Sequence, residues 1–250
     1  MKSSMGNKRK ILLSLTTTNE NSKASNWKEK IQEINQLKIE EIAFFPTCLK
    51  QKERKDLYKY LENSNIKKIS HVHIRTDFEE WELAYFVRCF GTEIFNIHPM
   101  PKALKWKNTK YWKNLFFENM YHYPKPNSRD LFTKEAFKKY SITGVCLDLS
   151  HLVSEKKIFP KNYSKTVELI KKHKIGCNHI SGLKSKLYKE KHSGLMIYET
   201  HFLESLNQLE YLKSLPIEYF SDIISIELEN SFKEQLEAKK YIENIINSKK

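Results

Sequence analysis

The sequence predicts a single (β/α)8 barrel, and three observations carry that expectation. The chain has 250 residues, close to the length that one such barrel requires. Eight short apolar runs alternate with amphipathic segments, as parallel strands joined by helices do. Six of those runs, in succession, end in a histidine or a carboxylate.

The runs are Ile11–Thr16, Glu41–Phe45, Lys67–His73, Glu93–His98, Leu115–Glu118, Thr143–Asp148, Ile175–His179 and Ile223–Glu227. Sheets buried on both faces need such near-continuous apolar strands. Between them, Trp27, Ile31 and Ile34 fall at helical spacing, as do Leu57 with Leu61, and Phe232, Leu236, Ile242, Ile245 and Ile246. Two connections lack a clear helical period. Pro99–Asn114 is rich in Lys and Trp, and Tyr123–Arg129, with its two prolines, reads as a loop. A doubly wound open sheet is the competing architecture, because the same alternation builds it. No repeat or internal boundary appears, so the expected organisation is a basic tail, 1–10, followed by one barrel domain, 11–247.

A hydrophobic content of 40% and a charged content of 30% describe a globular chain and exclude a fibrous or disordered one. No apolar run reaches the roughly 18 residues that span a bilayer, which leads us to expect a cytoplasmic protein without a membrane partner. Cys48, Cys89, Cys146 and Cys177 form no CxxC pair, so they are read as reduced, mostly buried small hydrophobes. The net charge of +14 suits an anionic partner such as a phosphorylated sugar or nucleic acid, but lysines spread this evenly also describe a solvated surface.

Function is read from the strand ends. His71, His98, Glu118, Asp148, His179 and Glu227 close the third to eighth runs, and in a barrel those C-terminal ends converge on one face. Polar groups buried there without partners would each cost on the order of 2–7 kcal/mol. Shared metal ions supply the missing partner, and mixed imidazole and carboxylate donors suit zinc or manganese. In Asp148-Leu-Ser-His151 an imidazole follows the carboxylate across one strand-to-helix turn. Glu190-Lys-His192 places two donors on one side of an extended segment. His73, His122, His173 and His201 fall outside this set, although His73 shares a strand face with His71, so either of the two could be the ligand. Arg75, just past the third run, and Lys184 are the candidate contacts to a substrate phosphate.

Seven motifs, Ile69-Ser-His71, Asn96-Ile-His-Pro99, Phe117-Glu-Asn119, Leu147-Asp-Leu-Ser-His151, Asn178-His-Ile-Ser181, Glu190-Lys-His192 and Ser225-Ile-Glu227, give the chain its resemblance to the xylose isomerase-like TIM-barrel superfamily. That superfamily includes sugar-phosphate isomerases and epimerases and the zinc-dependent AP endonucleases. The resemblance implies a central divalent ion on Glu118, Asp148, His179 and Glu227. In an isomerase or epimerase, our first expectation, Glu118 and Glu227 would act as base and acid on a sugar or sugar phosphate, and His151 would hold a substrate hydroxyl. The endonucleases extend the same core to three zinc ions, with further ligands matching His71, His98, His151, Glu190 and His192, so cleavage of abasic DNA is the second expectation. This sequence departs from them in carrying Glu190 for an aspartate, Ile180-Ser-Gly-Leu-Lys184 for an acidic segment, and Leu228-Glu-Asn230 for Thr-Pro. A non-catalytic metal-binding barrel is the third expectation, and its mark would be lost ligands.

Overall fold

The structure is a computed structural model that describes residues 9–17, 26–120, 131–190 and 194–249. Its first stave is β1 (Lys10–Leu12) and β2 (Ser14–Thr16), separated only by Leu13. Then follow β3 (Glu41–Phe45), β4 (Lys68–His73), β5 (Ile94–Ile97), β6 (Leu115–Glu118), β7 (Val145–Asp148) and β8 (Ile175–Ile180). A hairpin of β9 (Gly182–Lys189) and β10 (Met196–Thr200) precedes the last stave, β11 (Ile223–Ile226). Each stave pairs in parallel with its neighbour in chain order. β2 pairs with β3 while β1 pairs with β11, so the first stave is bonded on both sides and closes the ring. An open sheet would leave two unpaired edges, and the doubly wound alternative is excluded.

Among the described residues, seven helices surround the staves: α1 (Trp27–Gln36), α2 (Gln51–Glu62), α3 (Glu80–Phe90), α4 (Lys134–Tyr140), α5 (Leu149–Ile158), α6 (Pro160–Ile170) and α7 (Phe232–Asn247). α1, α2 and α7 are those whose spacing is visible in the sequence. β5 and β6 are joined by tight 3-10 turns at Pro101–Trp106 and Trp112–Asn114, which bury Ala103 and Trp106. The loop expected at Tyr123–Arg129 lies outside the described residues, as do residues 1–8 of the expected tail. Arg9 already bonds the Phe220 carbonyl at 2.9 Å and Lys10 opens β1. The ring is sealed by Gln235 of α7, which accepts from Ser14 N at 2.8 Å and donates to Ser14 O at 3.0 Å.

Side-chain alternation along each stave sorts the residues into two layers. Val145, Leu147, Ile180, Ile224 and Ile226 face outward into the core shared with the helices. Inward, the floor of the barrel is apolar, built from Leu12, Ala43, Phe45 and Ile223 on one side and Phe116, Cys146 and Cys177 on the other. One inward step higher stand Glu118, Asp148 and His179, with Glu227, two steps above Ile223 and just past β11, beside His179. Two of the four cysteines are thus buried, whereas Cys48 and Cys89 are exposed, and all four are free thiols. A register shift between Val145 and Cys146 leaves Gly176 without a partner opposite Phe116, and a Cβ there would lie 2.1 Å from the ring. Among the described residues no helix is long and apolar enough to cross a membrane.

Candidate metal centre

The centre of the site is His179 between carboxylates. Its Nδ1 lies 3.1 Å from Glu227 Oε2 and 3.5 Å from Glu118 Oε2. Donor atoms of Asp148, His179 and Glu227 lie within 4.8 Å of one another, and these three residues and Glu118 are all buried. Asp148 also caps α5: its Oδ1 accepts from the His151 amide at 2.8 Å and the Ser150 hydroxyl at 2.5 Å. That cap fixes one oxygen and leaves the other to face the centre. Burial alone would raise the Glu118 and Glu227 carboxyls, but His179 beside them outweighs it, holding Glu118 well below the usual carboxylate range and Glu227 at about 2. Burial would lower His179, yet the two carboxylates hold it well above its ordinary value.

The residues fit a divalent cation. Nε2 of His179 and Nδ1 of His73 are buried without a hydrogen-bond partner, while Nδ1 of His179 has only the carboxylates beside it. Leaving such groups unsatisfied costs roughly 1–3 kcal/mol each, and an ion would supply the partner. Imidazole with carboxylate donors matches zinc or manganese better than an all-oxygen calcium site.

Two further groups flank Glu118. On one side His73 Nδ1 lies 3.8 Å from Glu118 Oε2, and its ring stands 4.8 Å from that of His98. Burial pushes His73 down to about 3 and lowers His98 as well, so both are neutral, as ligands must be. Of His71 and His73, between which the sequence does not choose, His73 is the one beside Glu118. Two residues along a strand advance about 6.6 Å, so His73 reaches the carboxylates while His71 sits below. There Nδ1 of His71 meets Ser225 Oγ at 2.7 Å and Nε2 meets Asn96 Oδ1 at 2.9 Å.

On the other side, His151 Nδ1 lies 3.6 Å from Glu118 Oε1 and 3.7 Å from Asp148 Oδ2, and donates to the Asn119 carbonyl at 2.9 Å. Burial would lower His151, but Asp148, Glu199 and Glu118 together raise it to about 9. Glu199, on β10, is buried at the base of the hairpin, paired with Leu183. His201, just past β10, brings Nε2 to 3.7 Å from Glu227 Oε1. Sequence reasoning passed over both residues. Among the described residues, the Glu-x-His pair that reaches the centre is Glu199-Thr-His201, whereas Glu190 stands at the hairpin tip, its amide bonded to Leu195 O at 2.7 Å. His192 lies outside the described residues. The signal was present, since both segments have the same spacing, but nothing in the sequence ranks one above the other.

The two expected phosphate contacts are engaged elsewhere. Arg75 donates to the Thr47 carbonyl and, at 2.9 Å, to Asp77 Oδ1. Lys184 Nζ lies 4.0 Å from the centre of the Tyr188 ring and lines a groove of about 600 Å³ with Lys157, Lys186 and Tyr211.

No family model matches the chain, and no curated protein matches its sequence. Among solved structures, the fold is similar to that of the IOLI protein with a binding zinc atom, at 17% identity over 96% of this chain and 99% of that one, with a TM-score of 0.56. Endonuclease IV from Thermus thermophilus overlays at 16% identity, covering 94% of this chain and 99% of that one, with a TM-score of 0.44. An uncharacterized B. cereus protein overlays at 16% identity, covering 92% and 64%, with a TM-score of 0.41. The last two overlays are too loose to carry an argument. At 17% identity the first establishes the fold alone, a closed barrel of parallel staves ringed by helices.

Proposed function

We propose that the chain is a divalent-metal-dependent enzyme acting on a sugar or sugar phosphate, an isomerase or epimerase that moves a proton next to a carbonyl. The observation that supports this reading is the placement of two ionised carboxylates, Glu118 and Glu227, together against Nδ1 of His179. A zinc or manganese ion held by Glu118, Asp148, His179 and Glu227 would polarise the carbonyl and acidify the adjacent C–H. Glu118 and Glu227 then flank a bound sugar, and the carboxylate that removes the proton, now a carboxylic acid, returns it to the product. His151, its ring fixed by the Asn119 carbonyl, orients a substrate hydroxyl. The base of the hairpin, with buried Glu199, shields the site from water.

Charge bears on the choice between this reading and a phosphodiesterase. Glu118, Asp148, Glu199 and Glu227 place four carboxylates in one buried region. With a single divalent ion the region stays negative, which suits a neutral polyol at the ion with any substrate phosphate held outside the region, and disfavours the phosphodiester that a nuclease must place at the ion itself. With two or three ions it becomes neutral or positive. The second reading, cleavage of abasic DNA, is favoured by the flanking donors, His73 with His98 and His151 with Glu199 and His201, which offer places for further ions around Glu118.

The test is elemental analysis of the purified protein, beside a panel of sugars and sugar phosphates and an abasic-site duplex. One ion per chain with isomerisation supports the first reading. Two or three ions with nicking of the duplex replace it by the second. A protein that holds metal and turns over none of these substrates returns the chain to a non-catalytic metal-binding barrel.

A further inference from the structure

Beneath the centre, four side chains form one hydrogen-bonded line across the interior of the barrel. Asn96 Nδ2 donates to Glu118 Oε2 at 2.8 Å. The amide can donate from that atom only, so its Oδ1 is an acceptor where it meets His71 Nε2 at 2.9 Å. His71 therefore donates through Nε2, which in the neutral ring leaves Nδ1 to accept from the Ser225 hydroxyl at 2.7 Å. The line has one direction, Ser225 to His71 to Asn96 to Glu118, and each of its members is at most 2% exposed.

We infer that Ser225, His71 and Asn96 are positioning residues for Glu118, and that His71 is not a metal ligand. Glu118 faces two donor groups, through Oε2 the imidazoles of His73 and His179 and through Oε1 that of His151. A free carboxylate would rotate between these partners. The amide of Asn96 pins Oε2, and the imidazole of His71 keeps the amide from turning its oxygen toward the carboxylate, which would set two acceptors against each other. The group that touches Glu118 is an uncharged amide, which orients the carboxylate without neutralising it, whereas a lysine or arginine in the same place would neutralise it, and the full negative charge stays available to a cation. Hydrogen bonds behind a ligating carboxylate or imidazole orient it, and their loss typically weakens metal binding by about 10–100-fold.

The inference rests on the reading that Glu118 holds an ion, and its test separates the two. Zinc affinity is measured by chelator competition, with ions per chain counted, for wild type, His71→Leu, His71→Gln, Asn96→Ser and Ser225→Ala. Asn96→Ser and His71→Leu should each lower the affinity about 10–100-fold at unchanged stoichiometry. His71→Gln, whose amide can still donate to Asn96, should recover most of it, and Ser225→Ala should have the smallest effect. A His71 variant that loses one whole ion per chain would show a ligand instead, and an unchanged affinity with only a lower Tm would show a packing role. Either result overturns the inference. The tautomer is read without metal, by nitrogen-15 NMR of wild-type protein. A protonated Nε2 on His71, undisturbed when zinc is added, is expected, and a protonated Nδ1 or a zinc-induced shift at His71 overturns the line. Failure of wild type to bind zinc would instead refute the metal-dependent function.

Discussion

Metal binding to this centre should be strongly pH-dependent, because two imidazoles must lose protons before they can act as ligands. Without metal, His151 is held at about 9 by Asp148, Glu199 and Glu118 against the effect of burial, and its side chain is only 14% exposed. At pH 7 an ion taking His151 as a ligand must displace a proton held some two pH units too tightly, a penalty of about 2.7 kcal/mol or roughly a hundredfold in affinity. His179 is raised in the same direction, so an ion on the central carboxylates meets a similar opposition. Affinity should therefore climb about tenfold per pH unit for each displaced proton, and level off as pH approaches 9 for the His151 step. The metal-free protein has the opposite dependence. A histidine whose folded pKa is raised contributes stability that is complete below its unfolded value near 6.5 and disappears as pH rises through about 9. For His151 that contribution is on the order of 3 kcal/mol. Calorimetric zinc titrations at pH 6, 7 and 8, repeated in buffers of different ionisation enthalpy, count the protons released. His151→Ala should remove one proton from the count of any ion it binds and should destabilise the metal-free protein more at pH 6 than at pH 9. Affinity that stays flat from pH 6 to pH 8 would refute the electrostatic account of the centre.

Four further outcomes are expected. Glu227→Gln should weaken metal binding by more than about tenfold while the circular dichroism of the barrel is retained, and normal binding with normal turnover would reduce Glu227 to a structural residue. Replacing Glu199 and His201 together with alanine should lower metal stoichiometry or affinity, whereas replacing Glu190 and His192 together should leave both unchanged, as counted by elemental analysis. Arg54→Met should cost about 3–5 kcal/mol in urea unfolding, because it strands the buried Glu82 carboxylate that Arg54 grips through Nε at 2.8 Å and Nη2 at 2.9 Å, and pairing it with Glu82→Gln should recover part of the loss. Gly176→Ala should cost on the order of 1–3 kcal/mol or prevent folding, since its Cβ would overlap the Phe116 ring, and a neutral substitution would show that the floor of the barrel can yield.

The staves were legible because each is buried on both faces, which forces an apolar run whose bounds match the structure to within two residues. Their polar ends were legible for the same reason. A histidine or glutamate that breaks such a run is costly unless it has a partner, so it stands out. Neighbouring donors on one stave were not separable: His71 and His73 share a face, and only the height of Glu118 in the folded barrel selects between them. α3 carries no visible helical period because Trp81 and Val87 are exposed among the buried Leu83, Tyr85, Phe86 and Phe90. The hairpin left no signal either. Beyond Leu183 its first strand is only partly covered, so neither face carries an apolar alternation.

The charge of the centre explains why a barrel would bury so many ionisable groups at one point. Glu118, Asp148, Glu199 and Glu227 are each at most 6% exposed, and uncompensated they would repel one another at low dielectric. In the metal-free protein the raised values of His151 and His179 supply two positive charges against these carboxylates. A divalent ion that takes His179 as a ligand and, by its charge, drives the proton from nearby His151 brings the same charge back in a more compact form. The exchange leaves the net charge of the buried region unchanged, so neither state has to unfold the strand ends to relieve repulsion. The same exchange ties occupancy to pH. It also means that a second or third ion, which would find fewer protons left to displace, must change the charge of the region, and with it the kind of substrate the site attracts.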